Sequence, residues 1–278
     1  MQNLTEYINT KHGNFEYCKF DKFIGFSLKE YGEYSDIELT IILHFIKEGD
    51  TVFDIGANIG AFSIPISKKI GDKGNLYCFE PQGLIFKILN NNLRKNKIKN
   101  TKTFQNSIGK NNKKILLRNI DYSKYGNFGG VSLVTSNHNE ISTKEDSIEF
   151  KSLKLDNFLK IGKCDFIKVD VESMELDVLK GGKLFLAKYR PILWMENHPE
   201  QPNELNKYLM NQNYNVYWVK SRLFNPNNYF KNQINHFKEI CTQNIIAVPK
   251  EKDKNLDTHL LEKVVDEFSS PKLVYWQI

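Results

Sequence analysis

Acidic residues stand at the ends of short apolar runs in this chain, and their neighbours decide what chemistry they could do. Asp54 lies near the end of Thr51 to Ile55, just before Gly56-Ala57-Asn58-Ile59-Gly60. Glu80 and Pro81 close Asn75 to Phe79, Asp170 and Glu172 follow Asp165 to Val169, and Glu196 and His198 follow Pro191 to Met195. A glycine turn between a strand and a helix lets the backbone approach a nucleotide closely and offers it free N–H groups. A dinucleotide fold would place G-x-G-x-x-G there with a pyrophosphate over the helix start. The carboxylate of Asp54 repels a pyrophosphate and suits a ligand carrying an ammonium and a sulfonium, as S-adenosylmethionine does. Glu80 can accept both hydroxyls of a ribose. Taken alone, Asp54 also reads as a turn or helix-capping aspartate.

Positioning these acids requires alternating strands and helices. Thr51 to Ile55 is β-branched and aromatic, and Ile59, Phe62, Ile66 and Ile70 then recur at helical spacing up to Gly71. Ahead of them Ile37, Thr40, Ile41, His44 and Phe45 mark a helix capped by Ser35 or Asp36, with Tyr34 and Glu38 able to reach the methionine end of a cofactor or simply to pack. Leu84 to Leu93 gives another helix and Thr101 to Gln105 a third strand. That strand ends at Asn106-Ser107, where the adenine edge of a cofactor falls; Asn106 serves it or forms the turn. Lys113 to Leu117 and Ser147 to Phe150 read as strands, and Leu153 to Phe158 as a short helix. Between them, residues 118–150 hold Tyr122, Tyr125, Asn127, Phe128 and the pair Gly129-Gly130: either a loop closing over a hydroxylated substrate or an ordinary insertion. Asp165 to Val169, apolar apart from Lys168, fits a parallel strand covered on both faces, so Asp170 and Glu172 should point into a pocket at its carboxyl end. Asn203 to Leu209 reads as a helix, and Tyr214 to Val219 with Asn244 to Val248 as an antiparallel edge. Tyr217 and Arg222 are acceptor-pocket candidates, although aromatic packing explains Tyr217 equally well. Residues 1–35 read as short strands or a hairpin capping the fold, and Leu256 to Phe268 as an amphipathic helix.

Four segments in this order and spacing resemble the FkbM family of methyltransferases: Val52 to Gly60, Phe79-Glu80-Pro81, Phe166 to Glu172 with Val178 to Gly181, and Pro191 to Glu196. The resemblance spans about residues 36 to 218. It departs at Ser173, where the family usually carries glycine. It implies the α/β fold of class I methyltransferases, a Rossmann-like, mostly parallel seven-stranded sheet with helices on both faces and an antiparallel edge strand. It also implies S-adenosylmethionine as cofactor and O-methylation of hydroxyls on sugars, polyketides and other small molecules. The expected organisation is an extension over 1–35, a methyltransferase domain over 36–250 with its insertion near 118–150, and a helix and tail over 251–278. Tyr34, Asp54, Gly56, Asn58, Gly60, Glu80, Pro81, Asn106, Ser107 and Asp170 are the expected cofactor residues, and Asn127, Tyr217 and Arg222 the expected substrate residues.

An aliphatic hydroxyl needs a base that takes its proton as the new bond forms. Asp170 and Glu172 are expected to place cofactor and substrate, with Glu196 and His198 as the base side. A histidine ahead of a proline also reads as a plain turn residue. Two carboxylates and a histidine at one rim could hold a divalent ion, but no spacing here requires one, and no metal is expected. The 278 residues suffice for one large α/β domain. Cys18, Cys78, Cys164 and Cys241 lie far apart and read as reduced thiols of a cytoplasmic protein. No apolar run approaches the roughly 18 residues of a membrane span, and the first residues carry no export pattern. The formal charge of +6 follows a Lys- and Asn-rich composition; it leaves open an RNA 2′-O-methyltransferase, although no Asp-Pro-Pro-Tyr motif or basic aromatic patch supports nucleic acid as a partner. A cofactor-binding module without catalysis is the other alternative.

Overall fold

The computed structural model describes residues 4–130, 147–198, 203–253 and 261–272. A hairpin of β1 (Thr5–Thr10) and β2 (Gly13–Cys18) precedes α1 (Ile24–Tyr31) and α2 (Asp36–His44). The first half of the main sheet is β3 (Thr51–Ile55), α3 (Ser63–Ile70), β4 (Asn75–Phe79), α4 (Gly83–Lys95) and β5 (Thr101–Phe104). A small separate sheet holds β6 (Asn106–Ile108), β7 (Lys113–Arg118) and β8 (Ser147–Leu153), and a 3₁₀ turn at Leu155–Phe158 follows it. The second half is β9 (Phe166–Val169), α5 (Glu175–Lys180), α6 (Lys183–Tyr189), β10 (Ile192–Glu196), α7 (Glu204–Asn211), β11 (Tyr214–Arg222) and β12 (Cys241–Pro249), with α8 (Lys250–Asp253) and β13 (Glu262–Lys263) at the end.

The main sheet runs β13-β11-β12-β10-β9-β3-β4-β5. β10, β9, β3, β4 and β5 are parallel, whereas β12 is antiparallel to both β10 and β11. The seven strands expected for the fold are present, and the two-residue β13 lengthens the edge. Chain order reverses between β3 and β9, so the carboxyl ends of these two neighbours diverge to opposite connections. That is where open α/β sheets form their ligand crevice.

Strand alternation divides the core between the two faces. Val52, Phe166, Ile192 and Trp194 join one apolar cluster with α2, α3 and α4, while Phe53, Ile55, Ile167, Val169, Leu193 and Met195 join another with α5, α6 and α7. Asp54, Lys168 and Trp194 are direct cross-strand neighbours on the first face.

Three elements differ from the sequence reading. Phe23 and Phe26 belong to the start of a helix, because Asp21 Oδ1 accepts the N–H groups of Phe23 and Ile24 and Gly32, in the left-handed region, ends the helix. Helix α3 begins at Ser63 rather than Ile59, since Gly60 at φ 89° interrupts helical backbone. Leu256 to Phe268 is not a helix where it is described. Glu262 and Lys263 pair with Trp218 and Tyr217, Val264 donates to Val216 O and is buried, and turns follow, so pairing with the sheet edge captures the segment. Residues 256–260, and 131–146 of the insertion, lie outside the described residues.

Candidate active site

A cleft opens at the crossover point between β3 and β9. Gly56 turns the chain at its floor with φ 83°, and a Cβ there would stand 1.8 Å from Asp170 O, so only glycine fits. Asn58, also in the left-handed region, donates its backbone N–H to Glu80 Oε2 at 3.1 Å, and the Gln82 N–H reaches Glu80 Oε1 at 2.8 Å. These two N–H groups orient a carboxyl that burial pushes up to about 7. Gly56, Asn58, Glu80, Pro81, Asn106 and Ser107 all line the cleft, together with Tyr34 and Glu38. The Ser107 hydroxyl is buried with no hydrogen-bond partner among the described residues, whereas the Asn106 amide donates to Lys151 O. Gly60 stays behind the lining, 2.9 Å from Leu89 Cδ1 if it bore a Cβ, and serves the packing of the turn. A glycine turn, an oriented buried acid and an unpartnered hydroxyl along one crevice fit the ribose and base of S-adenosylmethionine.

Asp54 does not line that cleft, and the direct grip on the cofactor expected of it is corrected. It is wholly buried on the sheet face, where Oδ2 accepts from Ser63 Oγ at 2.6 Å and Oδ1 stands 3.7 Å from Lys168 Nζ. Position explains this: Asp54 precedes the last strand residue, so its side chain points under α3 rather than past the strand end. Lys168, which the sequence marked only as a charge in an apolar strand, is the residue that reaches the cleft from this face. Its Nζ donates to Asp170 Oδ2 at 3.1 Å and lies 5.1 Å from the centre of the Phe62 ring. Burial opposes its charge, but Asp170, Asp54 and Glu38 outweigh that and hold its pKa above the ordinary lysine value.

Asp170, Glu172 and Glu196 come together at the mouth, each offering a carboxylate oxygen within 4.8 Å of the others. A divalent cation could occupy such an oxygen set. Burial, then the charges of Asp170 and Glu175, push Glu172 up to about 7. Burial and the same crowd of acids, Asp170 foremost, push Glu196 well above the carboxylate range, and its Oε2 is buried without a hydrogen-bond partner among the described residues. His198 stands outside the cleft, 57% exposed, with Nε2 3.6 Å from Glu196 Oε1. Glu172 and Ser173 hold consecutive left-handed conformations at φ 53° and 77°. A residue with a side chain is strained by about 1–2 kcal/mol there, which accounts for the family's glycine. Ser173→Gly is expected to raise stability by up to about 1 kcal/mol after the entropy cost of glycine, read as a melting temperature higher by roughly 2–4 °C. An unchanged or lower melting temperature would contradict the strain.

The remaining wall is mixed. Asn127, Gly129 and Gly130 from the insertion line it, with Phe23, Ile24 and Phe62 on one side and Leu223, Ile240, Thr242 and Asn244 on another. Gln82 ties the insertion to the cofactor side, donating to Phe128 O at 2.9 Å and accepting from Tyr122 at 2.9 Å. Two expected substrate residues are corrected. Tyr217 is buried in the row of Trp194 and Ile246 across the sheet, and its hydroxyl donates to Asp253 Oδ2 at 2.7 Å. Arg222 pairs with Glu239 and donates to Lys238 O at 3.2 Å, off the cleft. The neighbouring Leu223 faces the cleft instead, and no motif marked it.

Against known proteins, the methyltransferase FkbM domain matches residues 54–216, more than half of the chain. No curated protein sequence matches. Among solved structures, the chain is similar to methyltransferase FkbM from Methylobacillus flagellatus KT at 15% identity and a TM-score of 0.48, over 71% of this chain and 43% of that protein. It thus spans less than half of that relative. A SAM-dependent methyltransferase from Aquifex aeolicus gives 14% identity and a TM-score of 0.40 over 80% of this chain and 92% of that one. Fibrillarin from Aeropyrum pernix, with natively bound S-adenosyl-L-methionine, gives 12% and 0.43 over 88% and 84%. At such distances these likenesses say nothing about the acceptor.

Proposed function

Because the chain belongs to the FkbM methyltransferase family and uses S-adenosylmethionine as its cofactor, we propose that it is an O-methyltransferase acting on a hydroxyl of a sugar or glycan, such as a nucleotide-linked or surface-polysaccharide sugar, or of another small molecule. The observation that carries this reading is the meeting of Asp170, Glu172 and Glu196 beside the cofactor cleft. When bound, the cofactor supplies an electrophilic methyl group on a sulfonium, which leaves the protein to align and deprotonate the acceptor. Glu80 and Ser107 hold ribose and base, and Asp170 takes the ammonium of the methionine end. Glu172 orients the acceptor hydroxyl, Glu196 receives its proton, and His198 beside Glu196 passes that proton to solvent. A wall of aromatic and aliphatic groups interleaved with Asn127, Thr242 and Asn244 suits a sugar, whose C–H faces pack on rings while its hydroxyls meet amides.

Among the described residues the cleft lining carries five acidic side chains, Glu38, Glu80, Asp170, Glu172 and Glu196, against the single ammonium of Lys168. An acidic lining with one ammonium offers little to a chain of phosphates, which weighs against the RNA alternative and, by the same argument, favours a sugar without a diphosphate over a nucleotide-linked one. The test is to incubate the protein with S-adenosylmethionine and a panel of free sugars, nucleotide sugars, oligosaccharides and RNA, reading S-adenosylhomocysteine release and the mass of the product. Methyl transfer to a hydroxylated small molecule supports the reading. Turnover on RNA alone, or on nitrogen rather than oxygen, refutes it.

A further inference from the structure

Asn244 lines the cleft with only 4% of its surface exposed, and its amide nitrogen has no hydrogen-bond partner among the described residues. Burying a donor unmet costs stability, and at a cleft wall it points to a ligand that meets it. The strands aim this amide. By alternation along β12 it shares the side of Ile246 and Val248, which join the cluster of Trp194, and Glu196 lies on that same side of β10. Asn244 and Glu196 stand directly opposite each other in the β10–β12 pairing, where Cβ atoms lie about 4.5–5.5 Å apart. Glu196 turns Oε1 toward His198 and leaves Oε2 buried with no hydrogen-bond partner among the described residues, so the two neighbours do not satisfy each other. On its other flank Asn244 meets the apolar Val219, and the hydroxyl of Thr242, two residues back, is engaged with Ser221 at 2.9 Å.

An unmet donor beside an unmet acceptor fits a group that accepts and donates at once, and a hydroxyl is such a group. We propose that Asn244 is a catalytic residue that seats the acceptor's oxygen and selects it over nitrogen: its amide donates to the oxygen whose proton faces Glu196. A hydroxyl oxygen has two lone pairs, so with one held by Asn244 the other is free to attack. In the transfer that free pair forms the new O–C bond, the pair of the breaking C–S bond stays on sulfur, and the hydroxyl proton goes to Glu196. A neutral amine has one lone pair. Seated in the same way, it spends that pair on Asn244 and has none for the methyl carbon. The inference deepens the proposed O-methylation and rests on it.

The experiment has two arms, both on the full chain. In the first, Asn244→Leu and Asn244→Ala are melted without ligand by differential scanning calorimetry. At least one should melt no lower than the unaltered protein, since each removes a buried donor that bonds to nothing in the fold. In the second, that variant is assayed with the free sugar or oligosaccharide that the unaltered protein methylates fastest, and with the same compound carrying an amine in place of the methylated hydroxyl. The assay runs at about pH 9, which leaves such an amine largely neutral. The variant should lose about 10–100-fold in kcat/KM on the hydroxyl, as loss of one hydrogen bond to the reacting oxygen does. Its ratio of amine to hydroxyl turnover should rise about tenfold or more, because the amine regains its lone pair. A melting temperature lowered in both variants would make the amide a structural group and overturn the proposal, as would hydroxyl turnover within about threefold of the unaltered protein. An amine-to-hydroxyl ratio that does not rise would overturn it too, and would leave the O-methylation standing. No methyl transfer to any hydroxyl by the unaltered protein would remove the proposed function and this inference together.

Discussion

Gly56→Ala is expected to abolish cofactor binding and to destabilise the whole domain. The added methyl carbon would meet Asp170 O at 1.8 Å, and the residue holds φ 83°. Left-handed backbone costs alanine about 1–2 kcal/mol, and relieving an overpacked contact costs typically about 1–3 kcal/mol more. The sum is on the order of 3 kcal/mol, or roughly 6–12 °C of melting temperature for a domain of this size. Because the clash is with backbone of the strand end that carries Asp170, the relief must come from parting β3 and β9, the two strands that form the crevice floor. Differential scanning calorimetry and cofactor titration check this together. A variant that melts like the parent and still binds would mean that the turn has slack that the close approach denies.

Glu196→Gln is expected to lower kcat by about 10²–10⁴ while leaving affinity for S-adenosylmethionine within a few-fold, as removal of a general base does. Burial first, then Asp170, Glu172, Glu175 and Glu38, raise the Glu196 carboxyl, so its proton-accepting form grows as the pH rises. The rate should accordingly climb with pH through neutrality, and the variant should lose that limb along with its activity. The sulfonium that arrives with the cofactor favours the ionised form and draws the limb toward neutral pH. An activity within tenfold of the parent, or an unaltered pH limb, would transfer the role to another acid.

The sequence carried the sheet well, because buried parallel strands write themselves as apolar runs and their ends carry the acids. Asp54, Glu80, Asp170 and Glu196 were found at strand ends for that reason. What it could not carry was the direction of each side chain. Asp54 lies one residue before the end of β3 and Asp170 one residue beyond β9, so the first points under α3 and the second into the cleft, although both read as terminal acids. Tyr217 reads as a rim aromatic but shares the Trp194 row in the middle of the face. The acceptor wall was least legible. Leu223, Ile240, Thr242 and Asn244 follow from the pairing of β11 with β12 and of Asn244 with Glu196, a register set by tertiary contacts rather than by any local pattern. Lys168 left one usable sign, a charge within an otherwise apolar buried strand.

The two-residue alternation along β10 limits how this chain can be altered by insertion and deletion. Trp194 and Glu196 share one side of the strand and Met195 the other. One codon gained or lost within those five positions would turn the glutamate into the apolar layer and deliver a thioether to the reacting groups, with Asn244 facing the wrong neighbour. Length changes compatible with the chemistry are therefore excluded from β10.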